Sequence, residues 1–361
     1  IARLGGDEFA IVLEDVSSVK DVELIADKMM KSITAPMILS EQQVSIDASI
    51  GATIYPDDGK EFPELVEFAR SAMQQAKSVD GSKYIRYSEQ LSFDHGGSTS
   101  LAAELRAAVR KNQFELHYQP RIDLANGRLC GLEALLRWNH PERGMLCPGE
   151  FIVACEDMGL MRTIGYQVIQ HACSAQVWME EQGIRDVDVA VNISFSQFQD
   201  DRFVDIVKDI IKRSGTDASR LEFELTETTI LKSPDAVKRR MDELRLLGIS
   251  FSLDDFGTGF SQLSHLTELP ISALKIDACF VRDLPNNPQQ EAVCTMIIEM
   301  ARRLGMLVVA EGAETHEQVE YLREQQCQQV QGFYYSPAIP LQQLSRFVKE
   351  LHLKRREPLF S

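Results

Sequence analysis

Apolar and polar positions along the chain fall into two stretches, each alternating strand-like and helix-like periods. The first runs to about residue 90. It opens with Arg3-Leu-Gly5-Gly6-Asp7-Glu8-Phe9-Ala-Ile-Val-Leu, two apolar runs joined by Gly-Gly. Both glycines can take positive φ, so the pattern predicts a hairpin. A helix is expected around Val19 to Ile33, stopped by Pro36, then a strand over Val44 to Tyr55. Leu65, Ala69, Ala72, Met73 and Ala76 share one helical face, and Lys83 to Tyr87 reads as a last strand. These elements make an α/β sheet domain over 1–91. Ser92 to Ser100 is polar and rich in Gly and Ser, which marks a linker over 92–100.

From residue 101 to 361 the alternation is longer and more regular. A helix is expected from about Ser100 to Lys111. Phe114, Leu116 and Tyr118 then alternate as a strand, and Asn126-Gly127 turns the chain into a second strand over Arg128 to Leu136. A helix from Ile164 to Trp178 leads to a strand at Val187 to Ile193. Further strands follow at Leu221–Leu225, Ile249–Asp254, Ala273–Ile276, Met306–Ala310 and Gln328–Gly332, separated by helical stretches. Eight strands in this rhythm predict a TIM-type (β/α)8 barrel opened by an antiparallel hairpin, with a doubly wound sheet as the structural alternative.

Composition narrows the function. Thirty-eight Lys and Arg against 54 Asp and Glu give a formal charge of −16, which argues against a nucleic-acid polymer as partner. An acidic protein with an anionic substrate needs local cations. No apolar run approaches the ~18 residues of a membrane span, so no membrane contact is expected from this chain. The seven cysteines include no Cys-x-x-Cys pair, which fits a reducing cytoplasm and buried small apolar side chains. Ile1-Ala2-Arg3-Leu4 reads as a strand already under way, so an upstream region is expected.

Acids and amides recur where the barrel strands end: Glu133, Asn192, Glu224 with Glu227, Asp254 with Asp255, Lys275 with Asp277, Glu311 with Glu314, and Gln331. The carboxyl ends of the strands converge on one mouth in such a barrel. Four or five carboxylates there repel one another unless they are protonated or hold cations. Oxygen ligands without His or Cys suit Mg²⁺, Mn²⁺ or Ca²⁺ rather than zinc. Adjacent Asp254 and Asp255 suit two metals ~3.5–4 Å apart, the arrangement that cleaves phosphodiesters. Lys275 can position a water or offset charge, and Arg137 can fork onto a phosphate. Each residue also has a plainer explanation. Asp255 and Glu227 can cap helices, Asn192 can fix a turn, Lys275 can be an ordinary surface lysine, and Glu314 can be a first-turn helix acid. Recurrence at successive strand ends favours a metal-dependent phosphoryl-transfer barrel.

Residues from about 101 to 350 closely resemble the EAL domain of bacterial cyclic-di-GMP phosphodiesterases. The matching segments are Tyr118-Gln-Pro, Glu133-Ala-Leu-Leu-Arg-Trp, Pro148-Gly-Glu-Phe-Ile, Asn192-Ile-Ser, Glu224-Leu-Thr-Glu, Asp254-Asp-Phe-Gly-Thr-Gly, Leu274-Lys-Ile-Asp, Ala310-Glu-Gly and Val330-Gln-Gly-Phe. The resemblance implies hydrolysis of cyclic di-GMP to linear pGpG with two Mg²⁺ or Mn²⁺ per site and inhibition by Ca²⁺. It implies metal ligation by Glu133, Asn192, Glu224, Asp254 and Asp255, support of the second metal by Glu311, and orientation of the attacking water by Lys275. It assigns Gln119, Leu136 and Arg137 to the dinucleotide and puts Gln331 close by; Asp277 and Glu314 are further candidates from their place at the strand ends. Glu227 would anchor the loop Phe256 to Phe260, coupling the site to a homodimer interface. Phe260 stands where Tyr is common and Ala313 where Val is usual. The alternative function is a silent receptor that binds cyclic di-GMP without cutting it, but such receptors usually lose metal ligands or the lysine, and every one of those positions is filled here.

Residues 1 to about 90 resemble the C-terminal part of a GGDEF (diguanylate cyclase) domain. Gly5-Gly-Asp-Glu-Phe is intact, and Ser49-Ile-Gly and Ala76-Lys77 match later signatures. The first half of that family's domain has no counterpart here. Arg70 replaces its Asp, Gln74 its Tyr, and Gly81-Ser82-Lys83 its Gly-Arg-Asn. The resemblance therefore predicts no cyclase activity, argues against synthesis as the net output, and leaves GTP open as a ligand of this part. It implies a bacterial cytoplasmic protein, with a tether to the inner membrane through an upstream region left open.

Overall fold

A computed structural model of the chain describes residues 2–5, 8–13, 16, 19–34, 37–39, 42–44, 48–60, 62–77, 83–87, 98–232, 234–257 and 268–354. Contacts divide the chain into two units, 1–101 and 102–361. In the first, β1 (Ala2–Gly5) and β2 (Glu8–Ala10) pair antiparallel, as the hairpin pattern predicts. Gly6 and Asp7 lie outside the described residues. The helix Val19–Thr34 buries Val22, Ala26 and Met30, one face at helical spacing. The strand expected over Val44 to Tyr55 is divided. β3 (Met37–Leu39) pairs antiparallel with β4 (Gln42–Val44), and β5 (Ser49–Ala52) pairs parallel with β6 (Lys83–Arg86). β5 ends where the Asp58 carboxylate accepts the Ile54 amide at 2.6 Å and the Arg86 guanidinium at 2.8 Å, which turns the chain. The helix Phe62–Lys77 lies on β5 so closely that a Cβ at Gly51 would sit 2.0 Å from the Ala69 carbonyl.

The second unit is a closed barrel. The helix Ser98–Arg110 buries Leu105 and Ala108 and leads into β7 (Phe114–Asp123). An Asn126-Gly127 turn, with Gly127 at φ 63°, reverses the chain into β8 (Leu129–His140). β9 (Gly144–Leu146) lies outside the ring, against β8. Around the ring follow β10 (Asp188–Asn192), β11 (Leu221–Thr226), β12 (Ser250–Phe256), β13 (Ala273–Ile276), β14 (Leu307–Ala310) and β15 (Gln329–Gln331), all parallel from β8 onward. β7 closes the ring antiparallel to both β8 and β15, and β16 (Ile339–Pro340) pairs with it outside. The closed ring excludes the doubly wound alternative.

One set of alternate residues in these strands, including Leu221, Phe223, Leu225, Phe251, Leu253, Leu274 and Val330, is at most 1% exposed and faces the surrounding helices. The other set lines the barrel, and much of it is polar. Arg121, Glu133, Glu222, Glu224, Ser252, Lys275 and Gln331 are all buried there. A barrel of this kind usually fills its interior with branched apolar side chains. This one carries charge through its middle. Among the described residues no helix is long and apolar enough to cross a membrane.

Gln331 enters the interior from a strand whose next residue, Gly332, touches the Ala313 backbone. A Cβ at Gly332 would meet the Ala313 carbonyl oxygen at 2.0 Å and its nitrogen at 2.4 Å. Because the obstacle is backbone, Gly332→Ala should cost ~1–3 kcal/mol, read as a lower urea midpoint at unchanged slope.

Candidate active site

Strand register brings the polar residues together. Gln119 on β7 faces Glu133 on β8. Glu133 lies beside Ala190 on β10, which continues to Asn192, and Asn192 lies beside Glu224 on β11. Thr226 is beside Asp254, and Lys275 is beside Val309, two residues before Glu311. These are the carboxyl ends of the parallel strands. Because β7 runs the other way, Gln119 is near the mouth and Arg121, two residues on, is deeper.

Lys275 is 1% exposed, which rules out an ordinary surface lysine. Its Nζ lies 2.6 Å from Glu224 Oε2, 2.6 Å from Glu311 Oε1, 3.1 Å from Asp254 Oδ1 and 3.7 Å from Glu133 Oε1. Asn192 Nδ2 donates to Glu133 Oε1 at 2.8 Å, and Gln331 Nε2 donates to Glu133 Oε2 and, at 3.0 Å, to Gln119 Oε1. Gln119 in turn donates to the Ser336 carbonyl at 3.3 Å. The amides thus hold both oxygens of Glu133 in place.

Asp254 and Asp255 sit at a bulge. Leu253 pairs with Leu274 but Phe256 pairs with Ile276, so β12 carries one extra residue against β13. Asp255 has φ 55°, a left-handed conformation that Asp tolerates better than most residues, and its amide donates to Asp254 Oδ1 at 3.0 Å. In a regular strand neighbouring side chains point to opposite faces. The bulge breaks that rule, so both aspartates belong to the mouth.

The carboxyls do not share one protonation state. Burial pushes Glu133 up, but Lys275, Gln331, Asn192 and Arg121 together hold it below its ordinary range. Glu224 is pushed well above that range by burial; Lys275 opposes this only in part, and the charges of Glu133, Asp254 and Glu222 add to it. Burial likewise raises Glu311, to about 8, against the pull of Lys275 and with the push of Glu133 and Asp254. Asp255 is raised by burial and then by Asp254 and Asp277. Lys275 is held well above its usual value, its burial outweighed by the four acids around it.

The other candidates divide. Arg137 is half-buried and its Nη1 donates to the Leu136 carbonyl at 2.8 Å. Strand alternation turns the Leu136 side chain to the face opposite Glu133, where it is buried. Asp277 caps the short helix Ala278–Val281, accepting the Cys279 amide at 2.8 Å. The Glu314 side chain is exposed. Glu227 opens the helix Glu227–Lys232, as a first-turn acid does. The loop it was expected to anchor lies outside the described residues from 258 to 267, Phe260 included.

Sequence reasoning passed over Arg121, Glu222 and Ser252. Arg121 makes a two-pronged ion pair with Glu222, Nη1 to Oε1 at 2.8 Å and Nη2 to Oε2 at 3.1 Å, one step below Glu224. A signal was present: Glu222 and Glu224 are two apart on one strand and so share a face.

The donor set fits a divalent cation. Five carboxylates and two amides offer hard oxygen donors, and one lysine leaves a surplus of negative charge. Gln331 Oε1 is buried with no hydrogen-bond partner among the described residues. As the side chains stand, the lysine ammonium holds the middle, and among the described residues no three acids, cysteines or histidines close round a point that could hold a metal ion.

Comparison with known proteins identifies the family. The family model described as "EAL domain" matches residues 102–338. The chain belongs to the EAL-domain family. A second model, "Diguanylate cyclase, GGDEF domain", matches residues 1–83, a partial domain ahead of the EAL barrel. The bifunctional diguanylate cyclase/cyclic di-GMP phosphodiesterase MucR of Pseudomonas aeruginosa is 38% identical over 345 residues, covering 95% of this chain and 50% of MucR. The cyclic di-GMP phosphodiesterase NbdA of the same organism is 36% identical over 361 residues, 100% of this chain and 46% of NbdA. The chain spans about half the length of these curated relatives. The solved structure of the PaMucR phosphodiesterase in its c-di-GMP complex superposes on the EAL barrel with TM-score 0.66 at 38% identity, covering 68% of this chain and 99% of that one.

The raised acids of the EAL site set a pH dependence. Glu311 and Glu224 bind a proton more tightly folded than unfolded, so between 4.5, the ordinary value, and about 8 the folded state carries more protons. Stability in the presence of chelator should therefore fall as pH rises through that window, by on the order of a few kcal/mol. The depressed Glu133 acts below the window and does not cancel the trend. In Glu311→Gln the slope of melting temperature against pH should be visibly shallower.

Proposed function

We propose that the EAL unit hydrolyses cyclic di-GMP to linear pGpG, and that the GGDEF part regulates rather than synthesises. The observation that carries this reading is the buried Lys275 set among Glu133, Glu224, Asp254 and Glu311, with every expected ligand position filled. A silent receptor has no need of a complete set.

Glu133, Asn192, Glu224, Asp254, Asp255 and Glu311 would hold two Mg²⁺ or Mn²⁺. When bound, such a pair activates water and stabilises the leaving oxygen of a phosphodiester. The chain's own residues supply position. Lys275 sits among four of the acids, and it orients the attacking water towards phosphorus from between them. Arg137 forks onto a phosphate oxygen, and the Gln331–Gln119 amide chain borders the dinucleotide at the mouth. Water adds to phosphorus, the P–O3′ bond breaks, and the 3′ oxygen leaves with a proton, giving one 5′ phosphate and one free 3′ hydroxyl. A homodimer through the EAL unit is the assembly we expect. Arg70 and Gln74 stand where the cyclase family places Asp and Tyr, which supports a regulatory GGDEF part.

Purified chain with Mg²⁺ or Mn²⁺ should convert cyclic di-GMP to pGpG, resolved by chromatography, and excess chelator should stop it. Lys275→Met should lower kcat by about 10²–10⁴, and Glu133→Ala should abolish turnover, with circular dichroism unchanged in both. Stoichiometric binding of intact cyclic di-GMP without pGpG would replace this reading with the receptor.

A further inference from the structure

Arg121 and Glu222 lie one layer below the site and contact no expected substrate group. Both are buried: Arg121 is 1% exposed and Glu222 7%. Space for the guanidinium is provided by Gly131, directly across from it on β8. A Cβ there would sit 2.6 Å from Arg121 Nε and 2.7 Å from Nη2. A buried ion pair in a barrel core gives little net stability over well-packed apolar side chains of the same volume. The pair, with a glycine opposite that leaves room for it, invites a different explanation.

The geometry supplies one. Glu222 takes both Arg121 prongs, at 2.8 and 3.1 Å. Arg121 Nη1 then stands 3.8 Å from Glu224 Oε1, too far to hydrogen-bond but close enough to attract. Lys275 Nζ binds the other oxygen, Oε2, at 2.6 Å. The Glu224 carboxylate is thus fixed between two cations. Its Oε1 is nonetheless buried without a hydrogen-bond partner among the described residues, a lone-pair donor kept free. Were Glu222 absent, Arg121 would be drawn onto Glu224 and would consume that oxygen.

We propose that the Arg121–Glu222 pair is a positioning device for Glu224, which aims Oε1 at a divalent cation while Glu222 keeps Arg121 from occupying it. The inference rests on the hydrolase reading. It places Arg121 beside the ligands as an orienting partner, the kind of residue whose loss typically weakens metal affinity 10–100-fold, to order of magnitude.

The test is Mn²⁺ affinity of the full chain, followed by the electron paramagnetic resonance of free Mn²⁺, without substrate and well below the melting temperature. Arg121→Met should raise the Mn²⁺ Kd by ~10–100-fold, and Arg121→Lys, which keeps charge without the fork, should fall between. The double variant Arg121→Met with Glu222→Leu replaces the pair by apolar volume. It should regain the parent melting temperature and still bind Mn²⁺ weakly. A double variant that binds Mn²⁺ like the parent would make the pair purely structural and overturn the proposal. So would an Arg121→Met variant of unchanged Kd, and the double variant decides the matter if the single one does not fold. A parent chain that neither binds Mn²⁺ nor cuts cyclic di-GMP would instead refute the hydrolase reading, and this inference with it.

Discussion

A single ammonium, on Lys275, meets four carboxylates inside a barrel, and the arrangement of the whole mouth follows from that contact. Acids drawn from β8, β11, β12 and the end of β14 would repel one another if buried alone. The lysine turns their repulsion into a shared attraction and fixes where each points. Glu133 is then locked by Asn192 and Gln331, and Gln331 links onward to Gln119 and Ser336. One cation cannot neutralise four anions. Burial first, and then the charges of the neighbouring acids, raise Glu224 and Glu311, groups that favour either a proton or a further cation.

Carrying charge through a barrel is possible because the opposite faces of the same strands are so thoroughly apolar. Phe223, Phe251, Leu274 and Val330 seal the wall between interior and helices. The interior itself is layered. Lys275 and its acids form the upper layer, and Arg121 with Glu222 the lower, so each layer pairs a cation with acids. Each ion is met by an opposite partner within a few ångströms, the condition under which buried charge is tolerated.

Much of this was legible in the sequence. The eight strands of the barrel were marked by apolar runs separated by helical stretches, and the reversed first strand by Asn126-Gly127. The acids at strand ends pointed to a common mouth. Three things were hidden. The end of β5 depends on Asp58, which reaches both Ile54 and Arg86, the latter from a distant strand. The bulge that turns Asp254 and Asp255 to one side leaves no trace in a pair of adjacent letters. The Arg121–Glu222 pair joins residues 101 apart, and although Glu222 shares a face with Glu224, its partner is seen only in the fold that brings the two together. Asp277, a further candidate, caps a helix and also bears on Asp255 by its charge, because a cap and a site acid call for the same side chain at the same place.

The reversed direction of β7 has a geometric outcome for the route of the chain. In a uniformly parallel barrel the backbone would join the first strand at the floor, remote from the chemistry. Here Phe114, the first residue of β7, pairs with Trp138 near the far end of β8, at the rim. The hairpin turn at residues 124–128 takes the floor position instead. The helix Ser98–Arg110 therefore delivers the polypeptide to the same end of the barrel where Lys275 and its acids are gathered.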